Sequence, residues 1–164
     1  MRRNMPMLRP LITALTLLAM PAMAQEVGFG GLKADVSAPV EVAADSLAVE
    51  QDSGRAVFTG NVVIGQGEMR LSADEVTVEY ADAGQSRIKS LHAKGEVTLV
   101  SGEDAAEAAE ATYDVESGHV TLIGDVVMTQ GRNVLTGDRM QVDLASGTAR
   151  VDGRVRSILQ PGEN

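Results

Sequence analysis

The chain alternates apolar and polar side chains with a period of two from residue 40 almost to its end. Such alternation is typical of a β-strand with one buried and one solvated face. The four longest stretches carry their apolar faces at Ala56, Phe58, Val62 and Ile64, at Leu91, Ala93, Val97 and Leu99, at Val120, Leu122, Val126 and Met128, and at Ala149, Val151 and Val155. The pattern predicts an all-β protein whose antiparallel sheet has one wet side.

A short motif recurs inside these four stretches. It reads Gly60-Asn61-Val62-Val63, Gly95-Glu96-Val97-Thr98, Gly124-Asp125-Val126-Val127 and Gly153-Arg154-Val155-Arg156, with successive glycines 35, 29 and 29 residues apart. A recurring period of this size indicates one supersecondary unit repeated along the chain, each copy burying its apolar face with its neighbours. Each glycine is in phase with the apolar face. It either creases the sheet or relieves crowding at a sandwich corner, and both readings require a curved β structure.

Shorter alternating segments lie between the long ones. Their apolar positions are Val76, Val78 and Tyr80, then Tyr113 and Val115, then Met140, Val142 and Leu144. Glycines with small polar neighbours predict the connecting turns, at Asp52-Ser53-Gly54, Gly65-Gln66-Gly67, Glu116-Ser117-Gly118 and Ala145-Ser146-Gly147. Residues 103–111 are rich in Ala and Glu and would also suit a helix. We predict a weak strand or loop there, because this segment takes the place of residues 69–76 in the preceding unit.

The beginning of the chain predicts export. Three arginines precede a short apolar run at residues 11–20, and Ala22-Met23-Ala24 is typical of a signal-peptide cleavage site. A run of this length falls short of the roughly 20 residues that span a bilayer, which disfavours a retained membrane anchor. The predicted organisation is a cleaved signal peptide at 1–24, a flexible N-terminal arm at 25–39, a β domain at 40–159 and a tail at 160–164.

Composition narrows the functional classes. The chain has no cysteine, which excludes disulfides, a lipid-modified N-terminal cysteine and thiol chemistry. Its formal net charge is −9, and the signal peptide carries three arginines and no acid, so a more acidic mature protein is expected. Such an acidic surface argues against nucleic-acid binding. Phe29, Phe58, Tyr80 and Tyr113 are the only aromatic residues, so the apolar face is almost entirely aliphatic.

Several segments, in their order and spacing, resemble a known family. They are Ala44-Asp45-Ser46-Leu47, Phe58-Thr59-Gly60-Asn61-Val62, Ala73-Asp74-Glu75-Val76, Ala111-Thr112-Tyr113-Asp114, Leu122-Ile123-Gly124-Asp125-Val126, Leu135-Thr136-Gly137-Asp138-Arg139-Met140 and Val142-Asp143-Leu144. Together with the predicted signal peptide, they make residues 40–159 similar to the OstA-like family of periplasmic lipopolysaccharide-transport proteins. The resemblance implies a twisted, open-ended β-jellyroll of repeated antiparallel strands.

The resemblance also implies a function and partners. The apolar groove of this family holds the lipid A acyl chains of lipopolysaccharide, and its sheet edges join neighbours end to end into a bridge from the inner to the outer membrane. The implied partners are lipopolysaccharide, LptC-like proteins of the inner membrane, LptD-like OstA-domain proteins of the outer membrane, and further copies of the chain associating head to tail. The implied location is the periplasm.

The inward-facing side chains are the candidate site. We predict that the groove is lined by Phe58, Val62, Ile64, Val76, Val78, Leu91, Val97, Leu99, Tyr113, Val120, Leu122, Val126, Met128, Met140, Val142 and Val155. For each of them, ordinary core packing is the competing interpretation.

The residues give catalysis little support. His92 and His119 are the only histidines, and both fall on the predicted wet face. The sequence contains no nucleophile elbow, phosphate loop or His-Glu metal motif. We therefore expect neither an enzyme nor a metal or cofactor. The main alternative function is a structural β-solenoid or adhesin-like exported protein without lipid cargo; an exported hydrolase lacks a nucleophile–base pair.

Overall fold

The computed structural model describes residues 31–50, 52–81 and 87–160. Within them the chain forms ten strands and no helix. The strands are β1 (Glu41–Ala43), β2 (Ser46–Glu50), β3 (Arg55–Gln66), β4 (Met69–Tyr80), β5 (Ile88–Ser101), β6 (Asp104–Asp114), β7 (His119–Gln130), β8 (Asn133–Asp143), β9 (Thr148–Asp152) and β10 (Arg156–Ile158).

All ten strands belong to one open sheet, ordered β1-β3-β4-β5-β6-β7-β8-β10, with β2 also paired to β3 and β9 also paired to β8. Every pairing is antiparallel. The all-β, open-ended fold class is thereby confirmed, and a parallel β-solenoid does not fit. The Ala/Glu-rich segment is part of β6 and pairs with both β5 and β7, so it is a full strand.

The repeated glycine motif marks a break in every ladder it enters. Between β3 and β4 the register shifts after Thr59, so that Gly60 and Asn61 together face the single residue Asp74. Both have positive φ, 82° for Gly60 and 47° for Asn61. Two consecutive residues in this region of φ bend a strand sharply, and glycine adopts the first conformation without steric cost. The motif is therefore a crease.

The crease crosses the whole sheet. It runs through Asp45, Gly60-Asn61, Asp74, Gly95-Glu96, Ala109, Gly124-Asp125, Asp138 and Gly153-Arg154. A Cβ atom added at Gly60 would lie 2.6 Å from the Oδ2 atom of Asp45, whose side chain is exposed. The glycines thus make room for side chains on the wet side.

The crease divides the sheet into two walls. The first wall contains residues 55–59, 75–80, 88–94, 110–114, 119–123 and 139–143; the second contains 62–66, 69–73, 97–101, 104–108, 126–130 and 133–137. Inner-face residues of both walls, such as Val120 and Leu99, have no exposed surface. Because the described strands form a single sheet, that burial requires the walls to cover each other. Tyr113 of the first wall accordingly hydrogen-bonds Gln66 of the second, although β6 and β3 are not neighbours.

The crease also interrupts both terminal ribbons of the sheet. β1 and β2 are separated at Ala44-Asp45, and β9 and β10 at Gly153-Arg154-Val155. The strand that we predicted to run continuously through residues 149–155 therefore ends at Asp152, and β10 begins only at Arg156. Val155 lies between them with 52% of its surface exposed, so its apolar alternation does not place it in the interior.

Aspartates close two of the turns beyond the first wall. Asp114 accepts a hydrogen bond from the backbone N–H of Ser117 at 2.8 Å, and Asp143 accepts one from that of Ser146 at 3.1 Å. These backbone donors, with a smaller contribution from His119, hold the pKa of Asp114 and Asp143 below the ordinary value of 3.8. In the folded protein, each carboxylate thus accepts hydrogen bonds from the backbone of its turn in place of water.

The capped turns predict a specific acid sensitivity. Because the folded-state pKa values of Asp114 and Asp143 are lowered, their stabilisation is complete above about pH 3.8 and is lost as the pH falls through those lowered values. The Asp114→Asn/Asp143→Asn variant should be less stable at neutral pH, and its urea midpoint should fall less than that of the parent between pH 5 and pH 2.5. Equal falls in parent and variant would contradict the assignment.

The crease predicts unequal costs for two glycine substitutions. At Gly124, φ is 89° and an added Cβ would lie 2.9 Å from the Cβ of Ala109, whereas Gly131 has φ 55° and no atom within 4 Å of its added Cβ. Gly124→Ala should therefore lower the free energy of unfolding by about 3 kcal/mol, the upper end of the range for such strain, measured by urea denaturation. The control Gly131→Ala should cost about 1 kcal/mol. Equal costs would show that the crease does not need its glycine.

Candidate functional site

The candidate site is the apolar interior between the two walls. Fourteen of the sixteen predicted groove residues are buried there in one hydrophobic cluster: Val62, Ile64, Val76, Val78, Leu91, Val97, Leu99, Tyr113, Val120, Leu122, Val126, Met128, Met140 and Val142. Phe58 is partly buried and packs against the cluster. Val155 stands apart, as described above. The predicted faces are thus brought together, while their contact with lipid stays a prediction.

Sequence reasoning missed several members of the same cluster. Met69, Leu71, Ala106 and Leu135 are all buried within it. Leu144, which the alternation placed on the apolar face but which is not among the predicted groove residues, is buried there too. Met69, Leu71 and Ala73 alternate in the opposite phase to Val76 and Val78, because the register shifts at the crease between Ser72 and Glu75. Extending the strand backwards from Val76 would therefore have placed Met69 and Leu71 on the wet face. Leu32 is also fully buried, but the residues around it show no period that could have revealed it.

A polar bridge crosses the apolar interior. The Tyr113 hydroxyl donates to the Oε1 atom of Gln66, whose Nε2 atom donates to the carbonyl oxygens of Val36 at 3.1 Å and Ala38 at 2.9 Å. Burial raises the pKa of Tyr113 above its ordinary value, so the phenol stays protonated. The polar groups of both side chains are therefore satisfied in an environment that is otherwise hydrocarbon.

The apolar face reaches solvent at one edge of the sheet. Leu47 and Val49 of β2 are 54% and 49% exposed, and they pair with Phe58 and Ala56 of β3. Leu47 and Val49 therefore continue the apolar inner face from β3 onto β2, where the other wall no longer covers it. The outer side of β2 has no partner strand in the described sheet, which leaves backbone groups available for pairing.

The opposite edge, at β9–β10, also lacks a further partner strand in the described sheet, and it differs in charge. Ile158 of β10 is 56% exposed, but it pairs with Val134, the neighbour of the buried Leu135, and so lies on the wet face. Leu159, just beyond β10, is 67% exposed. Arg150, Arg154 and Arg156 lie on or between β9 and β10 with one acid, Asp152, which pairs with Arg150 at 3.4 Å. Glu41, Asp45 and Glu50 lie on or between β1 and β2, without a basic residue. Arg154 donates to the carboxylate of Asp138 at 3.0 Å, and this hydrogen bond lowers the pKa of Asp138. One edge is thus basic and the other acidic.

The wet face offers ordinary surface pairs. The Nε2 atom of His92 lies 3.2 Å from a carboxylate oxygen of Glu110, and that of His119 lies 3.8 Å from Asp143, all four side chains being well exposed. Over residues 31–50, 52–81 and 87–160, no group of three acidic or histidine side chains is placed to hold a metal ion. The same residues include no helix long and apolar enough to cross a membrane.

A depression on the wet side marks the middle of the crease. Its volume is about 470 Å³, and it is lined by residues 96–98, 107–109 and 124–125. In this part of the crease, Ala109 lies opposite Gly124. At the three equivalent positions, opposite the other crease glycines, the residue is an aspartate: Asp45, Asp74 and Asp138. The depression lies outside the apolar interior, and we assign it no ligand.

The fold and the interior define a class of protein: an open-ended β-jellyroll whose single creased sheet encloses an aliphatic interior. Residues 41–148 match the family described as LptA/(LptD N-terminal domain) LPS transport protein. The chain belongs to this family, and the resemblance seen in the sequence is confirmed.

Individual relatives agree with this assignment. The chain is 30% identical to an uncharacterised protein of Rhizobium meliloti (strain 1021), over 89% of this chain and 85% of that protein. It is 29% identical to the lipopolysaccharide export system protein LptH of Pseudomonas aeruginosa, over 82% and 77% of the two chains. It is 25% identical to the lipopolysaccharide export system protein LptA of Haemophilus influenzae, over 89% and 90%.

A solved structure shows the same fold. The crystal structure of LptH from Pseudomonas aeruginosa superposes with a TM-score of 0.69, covering 78% of this chain and 99% of that one at 21% identity. LptH is described there as the LptA homologous periplasmic component of a lipopolysaccharide transport device. At this identity the likeness supports the open jellyroll architecture.

Proposed function

We propose that the protein binds lipopolysaccharide by its lipid A acyl chains and conveys it across the periplasm from the inner to the outer membrane. The observation that carries this proposal is the aliphatic face that runs along one creased sheet from ribbon to ribbon and is exposed at its β2 edge. Transfer from water to such an interior stabilises hydrocarbon by about 0.8 kcal/mol per methylene group. The family and the names of the relatives support the same cargo.

The packed interior sets a condition on this binding. Leu99, Val120 and Leu122 have no exposed surface, so acyl chains need the walls to separate before they reach these side chains. The described strands join the walls covalently along the crease, while across the interior the walls meet through apolar side chains and the Gln66–Tyr113 hydrogen bond. Opening is therefore a rotation about the crease, and hydrocarbon replaces the contacts that the rotation breaks.

The head group stays outside. The chain carries a formal net charge of −9, and the phosphates of lipopolysaccharide are also anionic. Like charges repel, so the protein grips the tails and leaves the phosphates to solvent and divalent cations. This arrangement allows a protein of negative net charge to bind an anionic lipid.

The two open edges support assembly end to end. An unpaired edge strand extends by pairing with another edge, and a head-to-tail contact that does not close yields a filament. The basic edge at β9–β10 and the acidic edge at β1–β2 complement each other in charge. We propose head-to-tail self-association, with LptC-like proteins at the inner membrane and LptD-like proteins at the outer membrane pairing with the same edges.

The proposed role is that of the relatives named LptA: an exported carrier, not an enzyme. The cleavage site at Ala22-Met23-Ala24 favours a released periplasmic protein over a membrane-anchored LptC-like one. Residues 1–24 lie outside the part of the chain that the structure describes, so the cleaved signal peptide stays a prediction.

Photo-crosslinking tests the groove with a matched pair of neighbouring positions. Leu122 is fully buried on the inner face, whereas Ile123 is 45% exposed on the outer face. A photo-reactive amino acid at 122 should form adducts with purified lipopolysaccharide, and the same group at 123 should form few. The measurement is the mass shift after irradiation. Equal labelling at both positions would reject the groove as the lipid site.

A deletion tests the edges. Removing residues 156–164 takes away β10 and keeps Arg154 with its Asp138 partner. Light scattering should then show smaller assemblies than the parent forms, with little change in thermal unfolding of the monomer. Removing only 160–164 is the control and should leave assembly unchanged. Added salt should weaken assembly of the parent, because the pairing edges carry opposite charges. Unchanged assembly after the longer deletion would discard edge pairing.

A further inference from the structure

Residues 31–38, which we call the strap, run along the free margins of the two walls opposite the crease. The backbone N–H of Ala34 donates to the carbonyl oxygen of Leu144, just beyond the first wall, at 2.9 Å. On the other side, the Ser101 hydroxyl at the end of the second wall donates to the carbonyl oxygen of Lys33 at 2.6 Å. The strap is thereby bonded to both walls and covers the seam between them.

The strap also completes the interior. Leu32 has no exposed surface and Ala34 is 8% exposed, and both belong to the hydrophobic cluster of the groove. Leu32 therefore places a branched hydrocarbon side chain among the residues expected to hold acyl chains. The part of the predicted flexible arm that the structure describes is thus packed, a contact that the sequence pattern did not predict.

The polar bridge joins the strap to the walls. Gln66 holds the carbonyl oxygens of Val36 and Ala38 through its Nε2 atom and receives the Tyr113 hydroxyl at its Oε1 atom. If the strap leaves, Gln66 loses two acceptors inside a closed interior, which is unfavourable unless water or ligand reaches it. Release of the strap and separation of the walls at Gln66–Tyr113 therefore favour each other.

The strap is attached more weakly than the ribbons that it covers. Its described backbone forms no strand and pairs with no ladder, whereas β5 and β7 each pair along their length with two neighbours. Segments held by few hydrogen bonds open at lower free energy than paired core strands. The strap can therefore leave while the creased sheet stays folded.

We propose that the seam is where acyl chains pass into the groove, and that the strap occupies it until lipid displaces Leu32. This inference rests on the proposed function and adds to it an entry site for the acyl chains and a segment that moves to open that site. The head group must stay in water while the tails become buried. A seam running along both walls permits that arrangement for the whole length of the groove. A lipid threading only through the ends would need the seam to open as well, because its head group could not follow through the interior.

Two cysteine pairs test the strap by locking it to one wall each. A Cβ atom at Gly67 would lie 3.4 Å from that of Asp35, and one at Gly118 would lie 3.9 Å from that of Val36. Both separations are close to those found in disulfides, about 3.5–4.5 Å. The chain has no cysteine of its own, so Asp35→Cys/Gly67→Cys and Val36→Cys/Gly118→Cys each introduce a single defined crosslink. The reduced form of each variant is its own control, and circular dichroism verifies that both forms are folded.

Lipopolysaccharide adducts at position 122 are the readout. Oxidation should lower adduct formation in both variants by about tenfold or more, because a locked strap removes the binding-competent state, and reductant should restore it. Equal adducts in the oxidised and reduced forms would overturn the strap proposal and leave lipid binding intact. An absence of adducts in the parent and in both reduced variants would reject the proposed function, and the strap proposal with it.

Hydrogen exchange gives a second measurement that needs no substitution. The Ala34 amide, which is bonded to Leu144 in the described state, should exchange faster when lipopolysaccharide is added, while amides of β5 and β7 stay protected. Unchanged protection of Ala34 in the lipid-bound protein would also overturn the proposal.

Discussion

The contact between the two walls is the interaction on which the rest of the structure depends. The described strands make one sheet without a helix or a second sheet to cover it, so its aliphatic face can be buried only against itself. The crease makes this possible by bending every ribbon at the same level. Strand pairing holds each wall together, and apolar contact across the interior holds the walls closed. A ligand that supplies the same kind of contact can therefore compete with the wall-to-wall packing.

The crease shows how a local backbone feature controls a global shape. Gly60 and Asn61 both take positive φ, and an aspartate from the neighbouring ribbon lies over the glycine on the wet side. Asn61 donates to the Asp45 carboxylate at 2.8 Å and Arg154 makes the analogous contact with Asp138, so both outermost positions are held by side chains. The central position, with Ala109, lacks such a contact and leaves a depression. Polar contacts outside thus support the bend that encloses the apolar space inside.

The period-two alternation predicted the fold and most of the interior, because such alternation arises when one face of each strand is buried. It failed where burial depends on more than the local pattern. Val155 follows the glycine motif as the buried Val62, Val97 and Val126 do, yet it lies on the terminal ribbon, where no further described strand covers it. Leu32 is buried without any periodic neighbours, since the strap forms no ladder. The bridge between Gln66 and Tyr113 joins residues 47 positions apart, and no local pattern reports such a contact.

The interrupted terminal ribbons have a consequence for how such a fold changes size. A closed barrel fixes its strand number by the geometry of closure. Here β1–β2 and β9–β10 repeat the bend of the inner ribbons without any closing constraint. Gain or loss of one hairpin, together with its crease glycine, would lengthen or shorten the interior between the two walls while preserving its cross-section. Duplication of one repeat could thus change the length of the apolar interior during evolution without a change of fold.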